Sequence, residues 1–156
     1  MKFAIAIIAY REESIIKGCL DGLQGLNVFV SISKPWSGKH INFDKTKEYA
    51  IEKHATVFLN DFTSEKDQRN FMMEKLQQSG YDYVFTIDAD EYYLKDDIQK
   101  AINFIEKHPD IERFNVGPTV YFWKNAEWEI IPKFNNVIPV CYKSNMRFDG
   151  YRNIET

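Results

Sequence analysis

Residues 84–93 read VFTIDADEYY, from Val84 to Tyr93. A β-prone apolar run stops abruptly at Asp88-Ala89-Asp90-Glu91, where three carboxylates fall within four residues. Charges this close repel one another and resist burial, so a solvated loop, a bound cation or a metal-linked phosphate must make the arrangement tolerable. The stretch also decides the fold. A buried strand that ends in acid is what the ligand edge of an open α/β sheet looks like, because ligands bind beyond the carboxyl ends of its strands.

Working outward, the chain alternates strand and helix. Phe3 to Ala9 is continuously apolar, as in a central strand covered on both faces. Tyr10-Arg11-Glu12-Glu13-Ser14 then suits a loop and a helix start. Ile15, Ile16, Cys19, Leu20 and Leu23 follow at helical spacing, with Gly25 ending that helix. Residues 27–33, NVFVSIS, form a second expected strand, and the breakers Pro35 and Gly38 mark the loop after it. A helix is expected from Phe43 to His54, a third strand from Ala55 to Leu59, and a helix capped by Thr63 or Ser64 that stops at Gly80. Tyr81 to Ile87 is the fourth strand. Leu94 to His108 is an amphipathic helix, with Ile98, Ala101, Ile102 and Ile105 on one face and Pro109 beyond it. His54 and His108 thus end helices, where a cation favours the dipole. After Pro109 the character changes: β-branched and aromatic runs broken by Gly, Pro and Asn predict antiparallel strands between Arg113 and Lys143.

The fold class expected is therefore α/β, a Rossmann-type, mostly parallel sheet flanked by helices, with a β-rich C-terminal part. One domain is expected over residues 1–156. Residues 1–108 would form a nucleotide-fold-like α/β part and residues 109–156 a β-rich part.

Composition narrows the function. The 156 residues are 44% apolar and 28% charged, ordinary for a globular domain, and the net charge of -3 gives no electrostatic footprint for nucleic acid. No stretch is long and apolar enough to cross a bilayer, and the N-terminus lacks a signal-cleavage pattern, so a cytoplasmic protein is expected. Cys19 and Cys141 read as buried thiols, and no Cys or His has zinc-ligand spacing. P-loop, G-x-G-x-x-G and G-x-S-x-G patterns are missing, and Tyr93 stands where an EF-hand starting at Asp88 would need Gly.

What remains is the carboxylate edge. Asp88 and Asp90 can hold Mg²⁺ or Mn²⁺, which takes few protein carboxylates and completes its shell with phosphate and water. If strand geometry persisted, the two would share a face. The competing reading is an acidic turn that starts the next helix. Tyr10 can stack on a base or simply pack at the strand end. Arg69 can reach a diphosphate, or pair with Glu65 four residues earlier at the surface. Trp36, Trp123 and Trp128 can stack on sugar rings, although core or hairpin packing is the safer reading for each.

Together these segments resemble the family 2 glycosyltransferases of the GT-A fold. AIAIIAYREES (residues 4–14) is similar to their opening strand and nucleotide loop. DFTSEKDQRNFMME (61–74) is similar to the helix carrying their A-R-N segment, and DYVFTIDADEYY (82–93) to their metal-motif strand. The resemblance implies transfer of a sugar, with inversion, from a nucleotide-diphosphate-sugar donor to a carbohydrate or glycan acceptor, with Mn²⁺ or Mg²⁺ as cofactor. It implies that Tyr10 and Glu12 line the nucleobase and ribose pocket and that Arg69 sits near the nucleotide or its diphosphate. Asp88 would approach the ribose or metal, and Asp90 would be the metal ligand. Two departures stand out. The family's acidic segment after strand two is replaced by Ser33-Lys34-Pro35-Trp36-Ser37-Gly38. In residues 146–155, MRFDGYRNIE, Asn153 stands where a subgroup has His and Glu155 lies one residue late, leaving Glu155 or Asp149 as base. Family members often continue past this point, so part of the acceptor side is expected beyond it. The rivals are a sugar nucleotidyltransferase, which the acidic loop after strand one disfavours, an aspartyl-nucleophile phosphatase, and an inactive carbohydrate-binding domain.

Overall fold

The computed structural model describes residues 1–38, 42–116, 121–123, 128–130 and 138–150. Among these residues, eight strands and four helices run in the order β1 (Phe3–Ala9), α1 (Ile16–Asp21), β2 (Val28–Ile32), α2 (Thr46–Glu52), β3 (Thr56–Leu59), α3 (Glu65–Gln78), β4 (Tyr83–Asp88), α4 (Lys95–Ile105), β5 (Arg113–Val116), β6 (Tyr121–Trp123), β7 (Trp128–Ile130) and β8 (Ile138–Lys143). The main sheet has the order β3-β2-β1-β4-β8-β5. Its first four strands are parallel, while β8 runs antiparallel to both β4 and β5. The β-rich tail therefore extends the same sheet. β6 and β7 form a separate two-stranded antiparallel ladder that pairs the backbones of Trp123 and Trp128.

Both faces of β1 are buried, and its alternation sorts them. Ile5, Ile7 and Ala9 meet Ile16, Cys19, Leu20 and Leu23 around α1 together with Ile98 and Ile105 of α4. Ala4 and Ala6 meet Met72, Met73 and Leu76 of α3. Small residues on that face let α3 approach closely, and each buried Met or Leu contributes roughly 1.5–3 kcal/mol. The chain builds β2 and β3 on one side of β1 and then returns with β4 on the other. This reversal is the switch point at which α/β sheets open a crevice, between the carboxyl ends of β1 and β4.

Several expected boundaries move. α1 closes at Gly22 instead of running on to Gly25, and a Cβ on Gly22 would lie 2.1 Å from the Tyr93 carbonyl oxygen. Only glycine lets the loop after β4 lie on the end of α1 in this way. α2 begins at Thr46 rather than Phe43, because Asp44 accepts a hydrogen bond from the Thr46 amide at 2.9 Å. It ends before His54, which turns with φ of 64°. Ser64 caps α3 by accepting from the Asp67 amide at 3.1 Å, and Gly80 turns out of it with φ of 80°. Pro139 lies in β8 at a bulge opposite Asn115, outside the stretch of β8 that pairs with β4.

Candidate active site

At the carboxyl end of the sheet lies a cleft of about 490 Å³. It falls within the roughly 300–1,000 Å³ usual for small-molecule sites. Tyr10 and Glu12 after β1, Lys34 and Trp36 after β2, Glu65, Gln68 and Arg69 at the start of α3, Asp88 at the end of β4 and Asp90 just beyond it all line the cleft. Six of the residues singled out from the sequence, Tyr10, Glu12, Trp36, Arg69, Asp88 and Asp90, are thus brought together. A second cleft of about 470 Å³ opens at the amino end, where Phe3, Leu26, Phe85 and Ile102 share the wall with Lys2, Asn27, Gln99 and Glu106. The two are alike in size, so chemistry has to distinguish them.

Asp88 is the last residue of β4, and the chain turns at once: the Glu91 amide donates to the Asp88 carbonyl at 3.0 Å. Strand geometry does not persist to Asp90, so the shared-face expectation fails. A tight turn, and not alternation, brings both aspartates to the cleft. Glu91 stabilises that turn, because its carboxylate accepts from the Asp88 amide at 2.9 Å. Asp88 is partly buried and Asp90 exposed.

Arg69 is 2% exposed. Its Nε donates to Glu65 at 2.7 Å and one terminal nitrogen to Asp88 Oδ1 at 2.6 Å. The pairing with Glu65 expected from spacing is present, but it is buried rather than a surface bridge. It is one arm of a fork whose other arm holds Asp88.

Two neighbours that sequence reasoning passed over complete the arrangement. Gln68, also 2% exposed, donates to the Ser31 carbonyl at 2.8 Å and accepts from the Trp36 indole at 3.1 Å. Asn70 clasps the backbone of Phe148 from both sides, donating to its carbonyl at 3.0 Å and accepting from its amide at 2.6 Å. Three consecutive residues of α3 therefore tie down the ends of β2 and β4 and the segment after β8. The sequence carried no clear signal for them: α3 buries Gln68 and Arg69 where an ordinary amphipathic helix would carry apolar residues, and that burial comes from tertiary packing.

The acidic loop after β1 is pinned to the start of α2. The Glu12 amide donates to Thr46 Oγ1 at 2.6 Å, and the Glu13 amide to Asp44 at 3.2 Å. Arg11 adopts φ of 50° to make that turn. Burial, followed by repulsion from Asp90, Asp44 and Asp88, pushes the Glu12 carboxyl above its usual range. The same field acts on Cys19: burial and the carboxylates of Glu91, Asp90 and Asp88 push its thiol up to about 12. Cys19 and Cys141 are buried free thiols, as expected. The Tyr10 hydroxyl is buried without a hydrogen-bond partner among the described residues. Among those residues no three His, Cys, Asp or Glu side chains gather to hold a metal by themselves.

At the end of β2, Ser33 is buried, accepting from the Phe62 amide at 3.2 Å and donating to the Lys34 carbonyl at 2.9 Å. Lys34 pairs with Asp61 at 2.7 Å. Trp36 is 42% exposed at the cleft, so core packing is not its role. Asp149 is exposed, lies 3.5 Å from Lys66, and does not line the cleft. Glu155 lies outside the described residues, as does the side-chain placement of Trp123 and Trp128. No helix among the described residues is long and apolar enough to cross a membrane.

The fold is shared with several solved structures. A crystal structure of S. aureus TarS residues 1–349 is 19% identical over 74% of this chain and 34% of its own, with a TM-score of 0.53. A cytidylyltransferase from Leptospira borgpetersenii is 16% identical over 92% and 61%, with a TM-score of 0.62. The mannosyltransferase PcManGT from Pyrobaculum calidifontis, in complex with GDP-Man and Mn²⁺, is 16% identical over 72% and 34%, with a TM-score of 0.52. The chain thus spans about a third of the length of the TarS structure. No curated protein matches it in sequence. The sequence pattern of Glycosyl transferase family 2, however, matches residues 44–154, most of the chain. The strand order, the switch-point cleft and the acid-ended fourth strand agree with that match, and the chain belongs to glycosyl transferase family 2.

Proposed function

We propose that this domain binds a nucleotide-diphosphate-sugar and a divalent cation and transfers the sugar, with inversion, to a hydroxyl of a carbohydrate or glycan acceptor. The observation that carries the reading is the position of Asp88 and Asp90 at the switch-point cleft, with Asp88 held by buried Arg69. The donor set fits Mn²⁺ or Mg²⁺. Few carboxylates are offered, one of them exposed, beside a Glu12 already disfavoured by their charge, and such ions complete their shell with phosphate and water. When bound, the cation supplies charge stabilisation for the departing diphosphate. Tyr10 and Glu12, between β2 and β4 in the sheet, would face the nucleoside. Arg69 acts by orienting Asp88, since its guanidinium is engaged by Glu65 and Asp88. Asp149 follows Phe148, which Asn70 fixes, and together with Glu155 is the candidate base for the acceptor hydroxyl. A cytoplasmic location belongs to the same reading.

Calorimetry with Mn²⁺ and nucleoside diphosphates tests it. Wild type should bind in a metal-dependent manner and Asp90→Ala should lose that dependence. Metal-independent binding, or none, would sink the proposal. A second reading is a sugar nucleotidyltransferase, favoured by the fuller overlap with the cytidylyltransferase fold. Against it stands the acidic Tyr10-Arg11-Glu12-Glu13 loop, where an incoming triphosphate would meet like charge. Release of pyrophosphate from nucleoside triphosphate and sugar phosphate would decide for this alternative.

A further inference from the structure

We infer that Trp36 is the stacking surface for the donor's nucleobase and that Gln68 is the residue that positions it, an inference that rests on the donor-binding reading above. A tryptophan 42% exposed at a cleft offers a large aromatic face to whatever binds there. This one is also held in place. Its indole N–H donates to Gln68 Oε1 at 3.1 Å, and the Gln68 amide in turn donates to the carbonyl and hydroxyl of Ser31 at 2.8 and 3.2 Å. Ser31 and Gln68 are both buried, so the ring is anchored to the sheet through a saturated polar chain. A tether of that kind fixes ring orientation in advance of binding, which lowers the cost of ordering a partner.

The surroundings favour stacking over polar readout. The Ser33 hydroxyl is committed to Phe62 and Lys34, and Lys34 to Asp61. Among the described residues the end of β2 thus presents an aromatic face, a paired cation and the small exposed Ser37, while the carboxylates of Glu12, Asp88 and Asp90 sit at β1 and β4. In the sheet β1 separates β2 from β4, so the two ends of the cleft lie two strand spacings apart, about 10 Å. A nucleoside diphosphate has matching polarity: an aromatic base at one end, a ribose between, and the charged diphosphate at the other.

The test compares wild type, Trp36→Ala and Trp36→Phe by calorimetry in Mn²⁺, with UDP, GDP, CDP and ADP, and with pyrophosphate as a probe lacking a base. Thermal melts establish that the variants fold. Trp36→Ala should weaken every nucleotide by about 5- to 150-fold, the range of one base–aromatic stack, and leave pyrophosphate unchanged. Trp36→Phe, which keeps a ring but loses the tether to Gln68, should fall between. Quenching of tryptophan fluorescence by nucleotide should disappear in Trp36→Phe. Unchanged nucleotide affinity in Trp36→Ala would overturn the inference and leave the donor-binding reading intact. Equal losses for nucleotides and pyrophosphate would overturn it by showing that Trp36 acts through the fold. Absence of nucleotide binding by wild type would overturn both.

Discussion

The two ends of the sheet carry clefts of nearly equal volume, about 490 Å³ at the carboxyl end and about 470 Å³ at the amino end. The amino-end cleft mixes Phe3, Ile5, Leu26, Phe85, Ile98 and Ile102, which continue the hydrophobic core outward, with the exposed polar side chains of Lys2, Asn27, Gln99 and Glu106. The carboxyl-end cleft holds Glu12, Glu65, Asp88 and Asp90 against Arg69 and Lys34, with an anchored indole at its rim. Cavity size therefore says little about where the chemistry is. What separates the ends is whether polar groups are gathered and held at a cost the rest of the fold must offset.

Four substitutions probe that contrast. The largest effect is expected from Arg69→Met, which leaves Glu65 and Asp88 without their shared counter-ion. Unfolding in urea should show a loss near the lower end of about 3–5 kcal/mol, since both carboxylates retain some contact with water. Gln99→Ala in the amino-end cleft, measured alongside, should stay within about 0.5 kcal/mol. Equal losses would erase the distinction between the ends.

Next comes Gly22→Ala. Its methyl would lie 2.1 Å from the Tyr93 carbonyl oxygen, so the loop carrying Asp90 must shift. A loss of about 1–3 kcal/mol is expected. Metal-dependent nucleotide affinity should fall with it, although Gly22 does not line the cleft. A loss of stability with affinity intact would show that Asp90 does not depend on this contact.

The smallest effect is a pH dependence. The carboxyl of Glu12 is raised above its ordinary 4.5 by burial and by Asp90, Asp44 and Asp88. The favourable protonated form is then fully present below that value and is lost as pH rises through the raised one. Metal-free Glu12→Gln should match wild type in stability below pH 4.5 and exceed it as the pH rises toward neutral, by urea melts across pH. Added Mn²⁺ should narrow the gap. A gap that grows toward acid instead would show that Glu12 is stabilised by its surroundings, not crowded by them.

Much of this was legible in the chain itself. Strand and helix periods are local, so the α/β alternation, the acid-ended fourth strand and the Ser64 cap could be read from neighbouring residues. The pairing of Arg69 with Glu65 was also visible, because four residues span one helical turn. Its burial was not, and neither was its second arm on Asp88, nineteen residues away. The same holds for Gln68 and Asn70, whose partners lie 32 to 78 residues distant. Nothing in the spacing of Trp36 distinguished a core residue from one at the rim of a cleft.

The sequence by itself determined which residues could carry chemistry and at which edge of the sheet they would collect, because side-chain type and periodicity are properties of short windows. The tertiary structure alone decided how they are held. The Asp88 arm of the Arg69 fork and the anchoring of Trp36 each join segments far apart in the chain. Only packing α3 against the α/β sheet brings those segments within hydrogen-bonding distance.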